Sequence, residues 1–192
     1  MERIYPTKKH IEKSLEQIRL KNHIERYQII KRYFYGNVID IACGVGYGSH
    51  LLSNNPDINF VTGVDCNQES IDFANQEYKN DKTNFELGDI KNYNCSFFDT
   101  LVSLETFEHI EDLKMYNNMI ERINPNIVIL SFPNKKSTHF NPYHKNDLTT
   151  QQVLKTITKY VIVKELYQHD ISILVMIKAP RNMPSHIFDT KL

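Results

Sequence analysis

The 192-residue chain reads as an α/β protein: a three-layer sandwich on a mostly parallel seven-stranded sheet, with an antiparallel C-terminal strand and an added N-terminal helix. Three observations lead there. Short apolar runs alternate with amphipathic segments from residue 36 onward, as in sheets covered by helices on both faces. A glycine-rich turn, "DIACGVGYG" at 40–48, separates the first apolar run from the segment after it. The β-rich runs "YVIVKELY" and "DISILVMIKA" close the chain as an antiparallel pair.

The elements follow in order. Ile11, Leu15, Ile18, Tyr27, Ile30 and Phe34 recur at helical spacing, so residues 8–34 form one long helix or a bent pair. "YGN" at 35–37 stops it. "NVIDI" is the first strand and "GSHLLS" opens a helix. "NFVTGVD" is the second strand, with a helix over 67–79. "TNFELGD" and "FFDTLVS" are the third and fourth strands, followed by a helix over 111–123. "NIVILSF" is the fifth strand, then a loop at 133–147 rich in Asn, Pro, Lys and His, then a helix near 148–158. No linker or repeat divides the chain, so residues 1–192 are read as one domain: an N-terminal helical segment, 1–35, and a core, 36–178.

Charge is balanced overall but unevenly spread. Residues 1–35 carry nine Lys/Arg against four Glu, 36–120 carry four Lys against fourteen acids, and 121–192 carry ten Lys/Arg against five acids. The middle third favours a cationic ligand or a metal, and the two ends favour a phosphate or an anionic surface. With a pI near 7, bulk nucleic-acid binding is not favoured. Cys43, Cys66 and Cys95 form no CxxC pair, which fits a reduced, cytoplasmic location. "MERIYPTKKH" is too polar for a signal peptide, and no apolar run is long enough for an integral membrane segment.

In a parallel sheet the ligand lies beyond the carboxyl ends of the strands. The first end offers Asp40 and the turn with Gly44, Gly46 and Gly48; the second ends on Asp65; the third ends on Asp89, followed by Ile90. A carboxylate like Asp65 can accept from both ribose hydroxyls, and Asp89 with the Ile90 N–H can read an adenine edge. A dinucleotide fingerprint would want Gly or Ala at position 49, where Ser49 stands.

This set, with "VIDIACGVGYGSHLL", resembles the class I S-adenosylmethionine (SAM)-dependent methyltransferases, type 11/23-like, over residues 36–178. The resemblance implies a Rossmann-like fold and SAM as cofactor. It implies that Asp40 and the Gly44–Gly46 backbone hold the amino-acid part of SAM, Asp65 the ribose, and Asp89 with Ile90 the adenine. Ala42, Tyr47, Cys66 and Leu104 are implied as further cofactor contacts. Ala42 stands where many members have the motif's first glycine.

The segment "SLETFEHIED", 103–112, follows the fourth strand at the rim where a methyl acceptor would sit. If 105–109 is helical, Glu105, Glu108 and His109 fall at i, i+3 and i+4 and share one face. Two carboxylates and an imidazole so placed suit Mg, Mn, Fe or Zn, with a further ligand from His139 or His144 in the 131–149 loop. The segment is similar to one in metal-dependent small-RNA 3′-terminal 2′-O-methyltransferases and in ubiquinone-pathway O-methyltransferases. The RNA enzymes imply Glu105, Glu108, His109 and His144 as catalytic residues and as the metal set. Without metal, His109 or His144 could act as a general base.

A cation that lowers a hydroxyl's pKa suits an acceptor with two adjacent oxygens. The leading expectation is O-methylation of a small molecule, sugar or glycan precursor, with an RNA terminus second and a non-catalytic SAM-binding protein third. Lys8, Lys9, Lys13, Lys31 and Arg32, with Lys135, Lys136 and Lys145, give the acceptor side a basic border. The basic first helix also suits a peripheral membrane contact.

Overall fold

The computed structural model describes residues 5–8, 18–95 and 98–179. In chain order these form helix α1 (Ile18–Ile30), a 3₁₀ turn (Lys31–Tyr33), β1 (Gly36–Ile41), α2 (Tyr47–Ser53), β2 (Ile58–Asp65), α3 (Gln68–Glu77), β3 (Thr83–Leu87) and β4 (Thr100–Leu104). A second 3₁₀ turn (Phe107–His109), α4 (Leu113–Ile123), β5 (Ile127–Pro133), α5 (Thr150–Thr156), β6 (Tyr160–Gln168) and β7 (Ile171–Lys178) complete it.

The seven strands make one sheet in the order β3-β2-β1-β4-β5-β7-β6. Strands β1 to β5 are parallel, and β7 runs antiparallel to both β5 and β6. The order reverses between β1 and β4, which opens a crevice at their carboxyl ends. The α/β architecture and the closing antiparallel pair are as the sequence predicts.

Successive side chains on a strand point to opposite faces, so apolar runs here feed two cores. Ile39, Leu101 and Val128 pack with Tyr116, Met119, Ile120 and Ile123 of α4 and with Val153 of α5. Their neighbours Val38, Val102 and Ile129 pack on the other face with Tyr27 and Ile30 of α1 and Leu52 of α2. Burying each such side chain contributes about 1.5–3 kcal/mol. Asp40 is the one acid inside the β1 run, and it is 1% exposed.

Helix starts and stops are set locally. The Asn67 side chain accepts from Ser70 N and starts α3, Asp112 accepts from Lys114 N and starts α4, and Thr149 with Gln152 forms a capping box on α5. Asn124 ends α4 in the left-handed region. Ile11 and Leu15 of the expected long N-terminal helix lie outside the described residues, as does Phe97 of the expected fourth strand. From residue 18 the helix runs to Ile30 and tightens into the 3₁₀ turn. α2 lies close to α1: a Cβ on Gly48 would collide with the Tyr27 ring, so only glycine permits this contact.

Among the described residues no helix is long and apolar enough to cross a membrane.

Candidate active site

The glycine turn is built from left-handed backbone. Ala42 (φ 61), Gly44 (φ 57) and Gly46 (φ 87) turn the chain from β1 into α2. A Cβ at Gly44 would meet nothing within 4 Å, so the space above the turn is open. Asp65 fixes the turn from the neighbouring strand: its carboxylate accepts from Gly44 N at 2.9 Å and from Asn67 N at 2.9 Å. Its carbonyl accepts from Gly88 N at 3.0 Å, tying the ends of β2 and β3 together.

Asp40 lies inside the fold at this same edge. It accepts from Ser49 Oγ at 2.7 Å and from Tyr27 Oη at 3.4 Å. Burial raises its pKa to about 7, and the bonds from Ser49 and Tyr27 oppose that rise. Asp89 is partly exposed and accepts from Lys91 N at 2.9 Å, while Arg122 Nη2 donates to the Ile90 carbonyl at 2.8 Å and holds this loop to α4. Ala42 and Cys66 are exposed, and Leu104 is half-buried at the end of β4. Tyr47 opens α2 with its hydroxyl 2.6 Å from His23 Nδ1. The residues expected around SAM thus line four adjacent strand ends, those of β3, β2, β1 and β4, with Asp40 buried inside.

The second half of the site follows β4. Residues 105–109 do not form the helix that would align Glu105, Glu108 and His109. Glu105 takes a left-handed backbone (φ 53), Thr106 is non-helical, and only Phe107–His109 make a 3₁₀ turn. The cause lies across the sheet. Glu105 N donates to Ser131 Oγ at 3.0 Å, and Ser131 Oγ donates to Glu105 Oε1 at 2.9 Å. Phe107 then turns inward onto Tyr116, ring centroids 4.9 Å apart.

That turn buries Glu108 to 1% exposure, and neither carboxylate oxygen has a hydrogen-bond partner among the described residues. Burial, reinforced by the nearby Glu105 charge, holds its pKa well above the ordinary carboxylate range; Arg26 opposes this. Burial raises Glu105 likewise, with Arg26 and the Ser131 bond opposing.

His109 Nδ1 lies 2.9 Å from the Tyr143 carbonyl. A carbonyl only accepts, so Nδ1 carries a proton, and in the neutral ring Nε2 is then the lone-pair nitrogen, 4.0 Å from Glu108 Oε1. The His144 ring stands edge-on to His109 at 4.8 Å, with Nδ1 2.6 Å from Ser137 Oγ and Nε2 2.8 Å from Asn141 Nδ2. One donor atom each from Glu108, His109 and His144 fall within 4.8 Å of one another. Glu105 is outside that group, bonded to Ser131, and His139 is exposed against Phe140. The loop carrying His144 is fastened by Lys145 N to the Glu108 carbonyl at 2.7 Å and by Ser137 N to Asp147 at 2.7 Å.

A buried carboxylate with no partner is costly, and two imidazoles beside it complete a donor set suited to a divalent cation. The carbonyl that orients His109 is the support a metal-bound histidine needs. The orphaned Glu108 oxygens fit such an ion, and His144 would ligate it by exchanging its bond to Asn141 or Ser137 for the metal.

One residue at this edge is not singled out by the sequence. Arg26 on α1 is 6% exposed, and its Nε donates to Gln168 Oε1 at 3.0 Å. Lys31 and Arg32, expected to border the acceptor, lie instead at the amino end of the sheet, just ahead of β1, where the Lys31 carbonyl accepts from Asn55 Nδ2 at 2.7 Å. α1 runs away from the site toward its C-terminus, and Lys9 and Lys13 lie outside the described residues. The available signal is position: Arg26 adjoins Tyr27 on the buried stripe of α1.

A family profile for a methyltransferase domain matches residues 35–171. Phosphoethanolamine N-methyltransferase of Triticum aestivum is 29% identical over 118 residues, which is 56% of this chain and 23% of that enzyme. The chain thus spans less than a quarter of that relative. Among solved structures, magnesium protoporphyrin IX methyltransferase of Synechocystis PCC 6803 with bound S-adenosylhomocysteine (SAH) has a TM-score of 0.70 at 17% identity, covering 85% of this chain and 88% of its own. The N-methyltransferase NodS of Bradyrhizobium japonicum WM9 in complex with SAH has a TM-score of 0.68 at 19% identity, covering 90% and 98%.

Proposed function

This chain belongs to the methyltransferase-domain family, and from its site we propose that it transfers a methyl group from SAM to a hydroxyl of a small molecule, sugar or glycan precursor, assisted by a divalent cation. The observation that carries this is the orphaned, buried Glu108 carboxylate meeting His109 and His144 at the carboxyl edge of the sheet.

Bound SAM supplies an electrophilic methyl on a sulfonium. The Gly44 turn, open above its backbone, receives the amino-acid end, and Asp65 and Asp89 lie at the strand ends where ribose and adenine would rest. Asp40 braces this turn from within through Ser49. Glu108, His109 and His144 would hold the cation, with Glu105 one step behind them on Ser131. A cation held there would lower the pKa of an acceptor hydroxyl and orient it. The His109 Nε2 lone pair could instead take the hydroxyl proton directly.

An RNA terminus is the second reading. The loop carrying His144 exposes Phe140 (60%) and Tyr143 (53%) alongside Lys135, Lys136 and Lys145, a stacking and phosphate-contact surface. Relatives named for N-methylation make an amine acceptor an outcome to be tested.

The experiment is methyl transfer from labelled SAM to matched diols, amines and oligonucleotide 3′ ends, with and without chelator, alongside calorimetric Mn²⁺ binding. Glu108→Ala should weaken Mn²⁺ binding by about tenfold or more and slow transfer to a similar degree, as loss of a ligand or its support does. SAM affinity should be unchanged. Full activity in chelator with no Mn²⁺ binding would sink the metal reading.

A further inference from the structure

Arg26 is a largely buried cation whose terminal nitrogens have no protein partner among the described residues. Its Nε is held by Gln168, and Gln168 Nε2 in turn donates to the Asn22 carbonyl at 2.9 Å, so the guanidinium is fixed against α1 and the end of β6. Nη1 and Nη2 make no hydrogen bond or ion pair among the described residues, although the side chain is only 6% exposed. Gln168 pairs with Ile171 on β7, and Ile171 with Pro133 at the end of β5. That places Arg26 at the carboxyl edge of the sheet, and its charge acts on Glu105, Glu108 and Tyr47 together.

Both Nη atoms reach solvent rather than being enclosed, and a fixed planar fork of this kind suits an oxyanion held by two parallel bonds. Glu105 and Glu108 do not fill that role: neither forms an ion pair with Arg26 among the described residues.

We propose that the Arg26 guanidinium recognises an oxyanion, phosphate or carboxylate, carried by the methyl acceptor, so that this site selects anionic acceptors. This rests on the reading of Glu108, His109 and His144 as the acceptor side. Arg26 then binds the part of the acceptor that does not react, and Gln168 keeps its fork in place.

The test is calorimetric titration of the full chain, saturated with SAH, with inorganic phosphate and with acetate. Wild type should bind at one site. Arg26→Met should weaken binding about tenfold to a hundredfold, the range for losing hydrogen bonds to a charged group, and Arg26→Lys should recover part of it. Preference for phosphate or for acetate tells a phosphorylated from a carboxylated acceptor. Absence of anion binding by wild type, or equal binding by Arg26→Met as a pure counter-charge requires, overturns the proposal. Should Arg26→Met fail to fold, the Arg26 Nε–H NMR signal of wild type decides: phosphate must shift it, and an unmoved signal overturns the proposal. SAH affinity is measured separately and the anion titration is repeated without SAH. Loss of SAH binding therefore counts against the cofactor reading alone.

Discussion

Asp40 is one of three acids raised by burial, with Glu105 and Glu108, that make this protein answer to pH. Its carboxyl is buried with Tyr27, Ser49 and Asp65 as its polar and charged neighbours, and its pKa rises from 3.8 to about 7. An acid raised on folding holds its proton more tightly in the folded state. Stability is therefore full below the unfolded value and is lost as pH climbs from near 3.8 to about 7. A rise of that size corresponds to at most about 4 kcal/mol. Asp40→Asn cannot ionise, so between pH 5 and pH 8 urea unfolding should show a smaller fall in stability for the variant than for wild type, the remainder coming from the raised Glu105 and Glu108 carboxyls. Parallel profiles for the two proteins would remove Asp40 as the cause. Asp40 was legible in the sequence because an acid inside an apolar strand stands out. Arg26 was not: helical periodicity assigns a position to the buried face, but not what a charge there is aimed at. That depends on Gln168, 142 residues away.

At the scale of elements, the strands were legible because both sheet faces are covered, so each reads as an apolar run whatever its neighbours. The 105–109 segment was not, because its backbone is decided by Ser131 on the adjacent strand. Spacing in sequence cannot reveal that bond, and the helix expected there gives way to a 3₁₀ turn that separates Glu105 from Glu108 and His109. The approach of α1 to α2 was equally hidden, although the glycine that permits it was in view. Gly48→Ala sets a methyl group against the Tyr27 ring, and overpacking of this kind costs about 1–3 kcal/mol. The variant should unfold at lower urea. Met119→Ala, a fully buried cavity mutation in α4 on the opposite face, should cost about 2–5 kcal/mol without disturbing Tyr27. A Gly48→Ala chain as stable as wild type would show that α1 can move off α2 at no cost.

Over the whole molecule, four acids of the middle third, Asp65, Asp89, Glu105 and Glu108, stand at or just after the carboxyl ends of their strands. Asp65 ends β2, and Glu105 and Glu108 follow β4, with β1 between them in the sheet. Two strand spacings separate the Asp65 end from the β4 end, about 10 Å. Groups that far apart with no shared partner contribute nearly independently. The two halves of the site should therefore fail separately. A ligand that binds only the folded chain raises its stability by about 2.7 kcal/mol at a hundred times its dissociation constant. For a chain of this size that is a melting shift of roughly 5–11 °C. SAH and Mn²⁺ should each raise the melting temperature of wild type, and together their shifts should nearly add. Asp65→Ala should abolish the SAH shift, because the carboxylate that fastens the Gly44 turn is gone, and leave the Mn²⁺ shift in place. Glu108→Ala should do the reverse. If either substitution removed both shifts while the variant still folded, the edge would be one coupled site and the division into a cofactor half and an acceptor half would be wrong.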